Sequence, residues 1–256
     1  MFTNPRPSEH ILPTFYESRD TPDFGLISRL SSLPRALAIK RTLRKVQKLS
    51  GGGLLSQDSK TRVLDYGTGD GFTSLCTAKF FPNCTIYATD FHPKPPVATL
   101  GIPNLAYITH ETFRKNYASQ KFDLVICKHV LEHVLDPKSL LVELTNLLSD
   151  EGILFIEVPS TDSIWAKFFK ENYFPYYVPR HVTHFDITSA IDLTHNYDSQ
   201  IFKSHTPIFP GSLALAVGRE EFAENLGFLG LILFPVQVFL DVIFRKSTTL
   251  KIFIKK

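Results

Sequence analysis

Between residues 65 and 71 a carboxylate and three glycines alternate along the chain: Asp65-Tyr66-Gly67-Thr68-Gly69-Asp70-Gly71. Glycine at every second position lets a turn take left-handed backbone conformations and lets a ligand approach the main chain closely. Arg62 to Tyr66 before it reads as a short buried strand, and Phe72 to Phe81 after it as a helix whose first N–H groups would face the same ligand. The pyrophosphate fingerprint G-x-G-x-x-G requires glycine at position 72, where this chain has Phe. A carboxylate two residues ahead of the first glycine would repel a pyrophosphate; it suits a cationic or amine-bearing ligand. A second acid, Asp90, closes the next apolar run, Thr85 to Thr89, 25 positions after Asp65. That is close to the ~20-residue register at which a βαβ unit offers a carboxylate to ribose hydroxyls. Separately, His129-Val130-Leu131-Glu132-His133 spells H-x-x-E-H, which on a helix could gather His129, Glu132 and His133 round a zinc ion. So short a string arises easily by chance, and it follows a central strand, so no metal ligand is assigned.

The elements that must position these residues alternate strand with helix. Leu105 to Thr109 reads as a third strand, and Lys121 to Cys127, nearly all apolar, as a central fourth. Asp136-Pro137 starts a helix whose apolar face is Leu140, Leu141, Leu144, Leu147 and Leu148. A fifth strand, Ile153 to Val158, stops at Pro159. Strands alternating with helices imply a parallel sheet with right-handed crossovers and ligands at its carboxyl edge. Pro93, Pro95, Pro96 and Pro103 leave no room for a full crossover helix between Phe91 and Asn104. Gln200 to Pro207 and Ser212 to Arg219 read as a closing pair of strands after a helix from Ser189 to Tyr197.

Length and composition set the bounds. A chain of 256 residues, 43% hydrophobic with net charge +3, suits one α/β domain with attachments and does not demand nucleic acid. Cys76, Cys84 and Cys127 lack metal spacing and read as reduced core thiols of a cytoplasmic protein. Pro5, Pro7, Glu9 and His10 stand where a signal peptide would need a basic and then an apolar run. Residues 1–57 form an N-terminal extension with a basic amphipathic helix from Pro34 to Leu49, ended by Ser50-Gly51-Gly52-Gly53. Residues 58–220 hold the α/β domain, in which 160–187 is an aromatic lid or acceptor segment. Residues 221–256 are an apolar, basic-ended tail. Leu226 to Phe244 approaches bilayer thickness but contains Pro235 and is flanked so that a simple span would orient the domain wrongly. Peripheral contact with the cytoplasmic membrane face through 34–49 and 226–256 is the reading that fits these flanks; a homodimer contact or a cover for the domain itself is the alternative.

Residues 62–90, followed by Phe-Asp-Leu-Val-Ile-Cys-Lys-His-Val-Leu-Glu-His-Val, Asp-Pro, a leucine-rich helix and Ile-Leu-Phe-Ile-Glu-Val-Pro, resemble the core of class I S-adenosylmethionine (SAM) methyltransferases, in order, over about residues 62–160. Arg180-His181-Val182-Thr183-His184-Phe185 looks like the segment closing the active site in a small-molecule branch that includes ubiquinone-pathway O-methyltransferases. The resemblance implies a Rossmann-like seven-stranded, mostly parallel sheet with helices on both faces. It implies SAM as cofactor, with Asp65, Gly67, Thr68, Gly69 and Gly71 at its methionine part and Asp90 at the ribose. Phe91 and Thr112 would border adenine, and Lys128 and His129 would stand beside the sulfonium. Methyl transfer from a sulfonium is an in-line displacement, helped by a general base when the acceptor is a hydroxyl. Among His129, His133, His181 and His184, we select His129 and His181 as catalytic, since both should lie at the carboxyl edge. The expected acceptor is a small or lipid-linked molecule methylated at oxygen or carbon. The rival readings are an inactive membrane-associated scaffold and a zinc hydrolase. Among relatives in the ubiquinone branch, Glu132 and His133 would be the pair to hold a divalent ion.

Overall fold

The computed structural model describes residue 7 and residues 25–51, 61–217 and 227–256. Seven strands form one sheet in the order β3-β2-β1-β4-β5-β7-β6. They are β1 (Arg62–Tyr66), β2 (Thr85–Asp90), β3 (Leu105–Thr109), β4 (Phe122–Lys128), β5 (Leu148–Pro159), β6 (Asp198–Ser204) and β7 (Thr249–Lys255). The first five strands pair in parallel, and β7 lies antiparallel between β5 and β6. Strand alternation sorts side chains between two cores: Leu64, Val125, Leu154 and Ile252 join one, Val63, Leu124, Ile153 and Phe253 the other. Helices α3 (His110–Asn116), α4 (Pro137–Asn146) and α6 (Ile187–Thr194) cover the first core through Phe113, Leu144 and Leu193. Helices α1 (Gly25–Leu49) and α2 (Phe72–Phe80) cover the second through Ile39, Leu43, Val46 and Ala78.

Local chemistry fixes the element ends. Asp136 caps α4, its Oδ1 accepting from the Lys138 and Ser139 N–H groups at 3.1 Å each, with Pro137 in the first turn. β1 has β2 on one side and β4 on the other. The chain therefore changes its direction of travel across the sheet there, and the carboxyl ends of β1 and β4 flank a crevice in which α/β sheets bind ligands. The basic helix α1 packs down with Ile39, Leu43 and Val46 buried. Lys40, Arg41, Arg44 and Lys48 are exposed. Lys45 is turned over the Phe202 ring, 3.2 Å from its centroid.

The seventh strand departs from the sequence reading. Ser212 to Val217, expected as strand, belongs to α7 (Phe209–Val217), and the strand comes instead from the far end of the chain. Short apolar runs fit helix or strand equally. Here α5 (Ile164–Phe169) and α8 (Gly227–Ile243) give α7 partners, through Trp165, Phe169, Phe209, Leu213 and Leu240. β7 is buried on both faces, with Leu250, Ile252, Phe253 and Ile254 at most 3% exposed. Its central Lys251 is satisfied by Glu157, Nζ to Oε2 3.4 Å. The apolar tail therefore supplies sheet as well as helix. Among the described residues no helix is long and apolar enough to cross a membrane. Gly52 and Gly53 of the expected joint, residues 218–226, and the start of the chain other than Pro7, up to residue 24, lie outside the described residues.

Candidate functional site

The glycine loop leaves β1 and is hung on β2. The N–H groups of Gly67 and Thr68 both donate to Thr89 O (2.8 and 3.0 Å), and the Gly69 N–H donates to Asp90 Oδ2 at 2.8 Å. Gly67 and Gly69 have φ of 78° and 59°, a region that side chains rarely adopt. Their surroundings differ. A Cβ on Gly67 would sit 2.4 Å from Val130 Cγ2, whereas a Cβ on Gly69 would meet nothing within 4 Å. Gly67 is thus required by the packing of the loop on the turn after β4. Gly69 borders open space, a cradle that any side chain would fill.

Asp65 braces the glycine loop through one carboxylate oxygen. It is 1% exposed, and its Oδ2 accepts from Thr68 Oγ1 at 3.0 Å and from Ser74 Oγ. Burial raises its pKa to about 6, against the lowering effect of those hydroxyls and of Lys128. Oδ2 of the carboxylate thus holds the loop, and the Thr68 hydroxyl belongs to the same brace. Asp90, 9% exposed, likewise uses Oδ2 on the loop. Phe91 is 75% exposed and tilted against His110, ring centroids 4.3 Å apart. Thr112 lies exposed at the start of α3, its N–H donating to Thr109 Oγ1.

The turn after β4 gathers the charges. His129 has φ 54°, a strained value for a residue with a side chain, and its N–H donates to Glu157 O at 2.8 Å. Its Nδ1 lies 3.2 Å from Glu132 Oε1 and its Nε2 3.3 Å from Glu157 Oε1. Desolvation alone would lower its pKa, but the hydrogen bonds to Glu132 and Glu157 raise it to about 9. With 41% of the side chain open to solvent, water screens part of that effect and leaves the direction. His129 is therefore held as a cation at neutral pH. Glu157, 5% exposed in β5, is a hub that the sequence reading missed: Oε1 also meets Lys128 Nζ at 3.1 Å, and Oε2 meets Lys251. Burial opposes its ionisation, yet Lys128, His129 and Lys251 together hold the carboxyl far below its usual range. Lys128 thus stands at the site as half of an ion pair.

Residues 160–187 fold back over this turn. The N–H groups of Val182 and Thr183 donate to Glu132 O (2.8 and 3.1 Å), which brings His181 and His133 together in an edge-on contact, centroids 4.7 Å apart. His181 is 8% exposed and its Nδ1 lies 2.8 Å from Pro175 O. A carbonyl only accepts, so Nδ1 carries the proton and Nε2 the lone pair. Burial lowers the pKa of His181 to about 4, leaving the ring neutral at pH 7. His133 Nδ1 is fixed the same way by Arg180 O at 3.1 Å. A cavity of about 360 Å³ opens here, lined by His129, Glu132, His133, Phe174, Tyr177 and His181. A larger, more open hollow of about 600 Å³, lined by Phe113, Val142 and Leu147, shares none of these residues.

The helical zinc arrangement does not form. Leu131–His133 is one turn of 3-10 helix, and His129 is turned to Glu132 and Glu157. The residues that do converge are Glu132, His133 and His181, with one ligand atom from each within 4.8 Å of the others. Glu132 Oε2 is buried and has no hydrogen-bond partner. A divalent ion held by Glu132 and two imidazoles, each steadied by a backbone carbonyl on its other nitrogen, would satisfy it. Burial opposes ionisation of Glu132, but the hydrogen bond and charge of His129 outweigh it, so the carboxylate is charged as a ligand must be.

A family model described as a methyltransferase domain matches residues 33–201. A ubiquinone biosynthesis O-methyltransferase of Glaesserella parasuis serovar 5 (strain SH0165) is 43% identical over 58 residues, 21% of this chain and 25% of that protein. Its namesake in Histophilus somni (strain 2336) is 31% identical over 119 residues, 42% and 49%. The chain thus spans half or less of the length of these curated relatives. Among solved structures, the plantazolicin methyltransferase BpumL in complex with SAH aligns with TM-score 0.57 at 18% identity, covering 96% of this chain and 93% of that one. A SAM-dependent methyltransferase from Archaeoglobus fulgidus aligns with TM-score 0.54 at 19% identity, covering 87% and 94%. At such identities these two show a shared fold.

Proposed function

Since this chain belongs to the methyltransferase-domain family and has the class I SAM-methyltransferase fold, we propose that it transfers a methyl group from SAM to a small or lipid-linked acceptor, at oxygen or carbon. The residues present fit that cofactor: the open space at Gly69 is where a ligand can reach the main chain, and the exposed Phe91 ring can take an adenine face. Bound SAM would supply an electrophilic methyl on a sulfonium. Gly67, Gly69 and Gly71 would hold its methionine part by main-chain contact, over a loop braced by Asp65 and Thr68. Asp90, whose Oδ2 accepts from the Gly69 N–H and whose Oδ1 accepts from the His92 N–H, would turn its carboxylate to the ribose, and Thr112 would border the adenine. Lys128 pairs with Glu157, which would lessen the positive charge it turns to the sulfonium.

The observation that supports the reading most is the neutral His181 at a cavity beside the glycine loop's own neighbour, the turn holding His129 and Val130. For a hydroxyl acceptor, His181 Nε2 would take the proton as the oxygen attacks, and the carbonyl of Pro175 would steady the imidazolium through Nδ1. His129 would orient the acceptor as a cation, and Phe174 and Tyr177 would exclude water. The three cysteines are unpaired, which suits a reducing cytoplasm. Incubation of cell extract with methyl-labelled SAM and this protein should yield a labelled small molecule; label in protein or nucleic acid only would refute the acceptor class.

The unsatisfied Glu132 Oε2 favours one second reading, a divalent ion at Glu132, His133 and His181 that polarises the acceptor hydroxyl. In that case a chelator would abolish turnover while leaving S-adenosylhomocysteine binding intact. No observation favours the scaffold or hydrolase alternatives.

A further inference from the structure

Helix α8 is turned inside out. Its polar side chains face the protein: Gln237 and Asp241 are fully buried. Gln237 Nε2 donates to Thr206 O at 2.8 Å, its Oε1 accepts from the Ile208 N–H at 3.2 Å, and Asp241 Oδ2 lies 3.2 Å from His205 Nδ1. Its outward face is apolar: Ile232, Val236, Phe239, Val242 and Ile243 are each more than half exposed, and Phe244 continues the stripe at 57%. A helix bordering water arranges these faces the other way round. On α5, whose Trp165 and Phe169 belong to the cluster that Leu240 of α8 packs against, Phe168 is also 71% exposed. Exposed cations stand beside the exposed rings, Lys167 and Lys170 on either side of Phe168 and Arg245 next to Phe244, with one exposed acid, Glu171, among them.

We propose that α8 and Phe168 seat the protein on an anionic lipid bilayer surface, with the apolar stripe in the acyl boundary and Lys167, Lys170 and Arg245 at the headgroups. α8 lies along the surface, since its Gln237 and Asp241 side is buried against the protein and only the opposite side is free to meet lipid. The cationic rim selects lipid over a second copy of this chain, because a two-fold pairing of this face would set like charges against each other. Gln237 of α8 also holds Thr206 and Ile208, which line the cavity, so docking would bring that cavity to the bilayer. Only this last point, which would admit a lipid-linked acceptor, rests on the methyl-transfer reading.

The test is flotation of the full chain with vesicles of phosphatidylcholine alone and with about one-third phosphatidylglycerol. The protein should float with the second kind, and less with the first. The double variant Val236→Asp/Phe239→Asp, both at exposed positions, should lose about tenfold or more of its partition. Lys167→Glu/Arg245→Glu should abolish the difference between the two vesicles. All variants should keep their melting response to S-adenosylhomocysteine; its absence in the wild type would refute the methyltransferase reading and leave this one standing. No flotation, or flotation unchanged in Val236→Asp/Phe239→Asp, overturns the proposal. A non-floating dimer that the same variant turns to monomer overturns it in favour of a second copy.

Discussion

Alanine at Gly67 and at Gly69 should do different damage, and the difference can be sized. Both residues sit in left-handed conformations, where a Cβ costs roughly 1–2 kcal/mol. At Gly69 that is the whole cost to the ligand-free protein, since the new Cβ meets nothing within 4 Å. In a chain of this size it corresponds to a fall in Tm of roughly 2–8 °C. At Gly67 the Cβ would stand 2.4 Å from Val130 Cγ2, which must move. Overpacking of that kind adds about 1–3 kcal/mol, for a total of about 2–5 kcal/mol and a fall of roughly 4–20 °C. Ligand binding should rank the other way. The methyl of Gly69→Ala occupies the cradle, and the same overpacking range there means a loss of about tenfold or more in affinity for S-adenosylhomocysteine. Gly67→Ala should bind more nearly as the wild type does, at temperatures where it is folded. Thermal melts without ligand, and titration calorimetry with it, measure the two effects separately. Equal melting losses, or undiminished binding by Gly69→Ala, would refute the division of labour in the loop.

Asp65 makes a pH prediction. Its folded pKa, about 6, lies above the ordinary aspartate value of 3.8, so its contribution to stability is full below about 4 and is lost as pH rises through 6. The rise is worth on the order of 3 kcal/mol as an upper bound. Asp65→Asn, which still accepts from Thr68 and Ser74, should flatten the Tm profile between about pH 4 and 7; an unchanged profile would assign the slope elsewhere. His181→Gln should lower kcat by about 10²-fold or more with S-adenosylhomocysteine affinity retained, while His129→Gln should cost less, because His129 is already protonated at neutral pH. Equal losses would return the base to His129. Truncation before Thr249 removes the strand between β5 and β6 and exposes Leu250, Ile252 and Ile254 contacts, so the product should be insoluble or unfolded by circular dichroism.

What was legible in the sequence is what local chemistry dictates. The glycine loop, Asp90 at the end of β2 and the turn His129–His133 show as residue types at fixed spacing next to apolar runs, while His181 stands out only through the resemblance of its segment to the methyltransferase family. The origin of β7 was hidden, because Ser212 to Val217 is as apolar as a buried strand and the lysines of Thr249–Lys255 resemble a solvated tail. Pairing with Glu157, and a bond to the Thr42 hydroxyl, make Lys251 acceptable in a sheet interior. Glu157 and Ser74 escaped notice since an acid in an apolar strand and a serine in a helix have no signature until their partners are known. The H-x-x-E-H string, on which no metal ligand is assigned, leaves His129 out of the cluster of Glu132, His133 and His181: its backbone is left-handed, and His181 arrives from a segment some fifty residues on. In α8, Gln237 and Asp241 interrupt an apolar run, and the side they face is set by Thr206, Ile208 and His205, far away in the sequence.

The central claim is that the open cradle at Gly69 receives SAM. Isothermal titration of the full chain with S-adenosylhomocysteine should give one site, with a Kd between about 1 µM and 1 mM as is usual for enzyme ligands. The signal should vanish in Gly69→Val, and NAD or ATP should give none. A site that takes NAD and ignores S-adenosylhomocysteine would contradict the account.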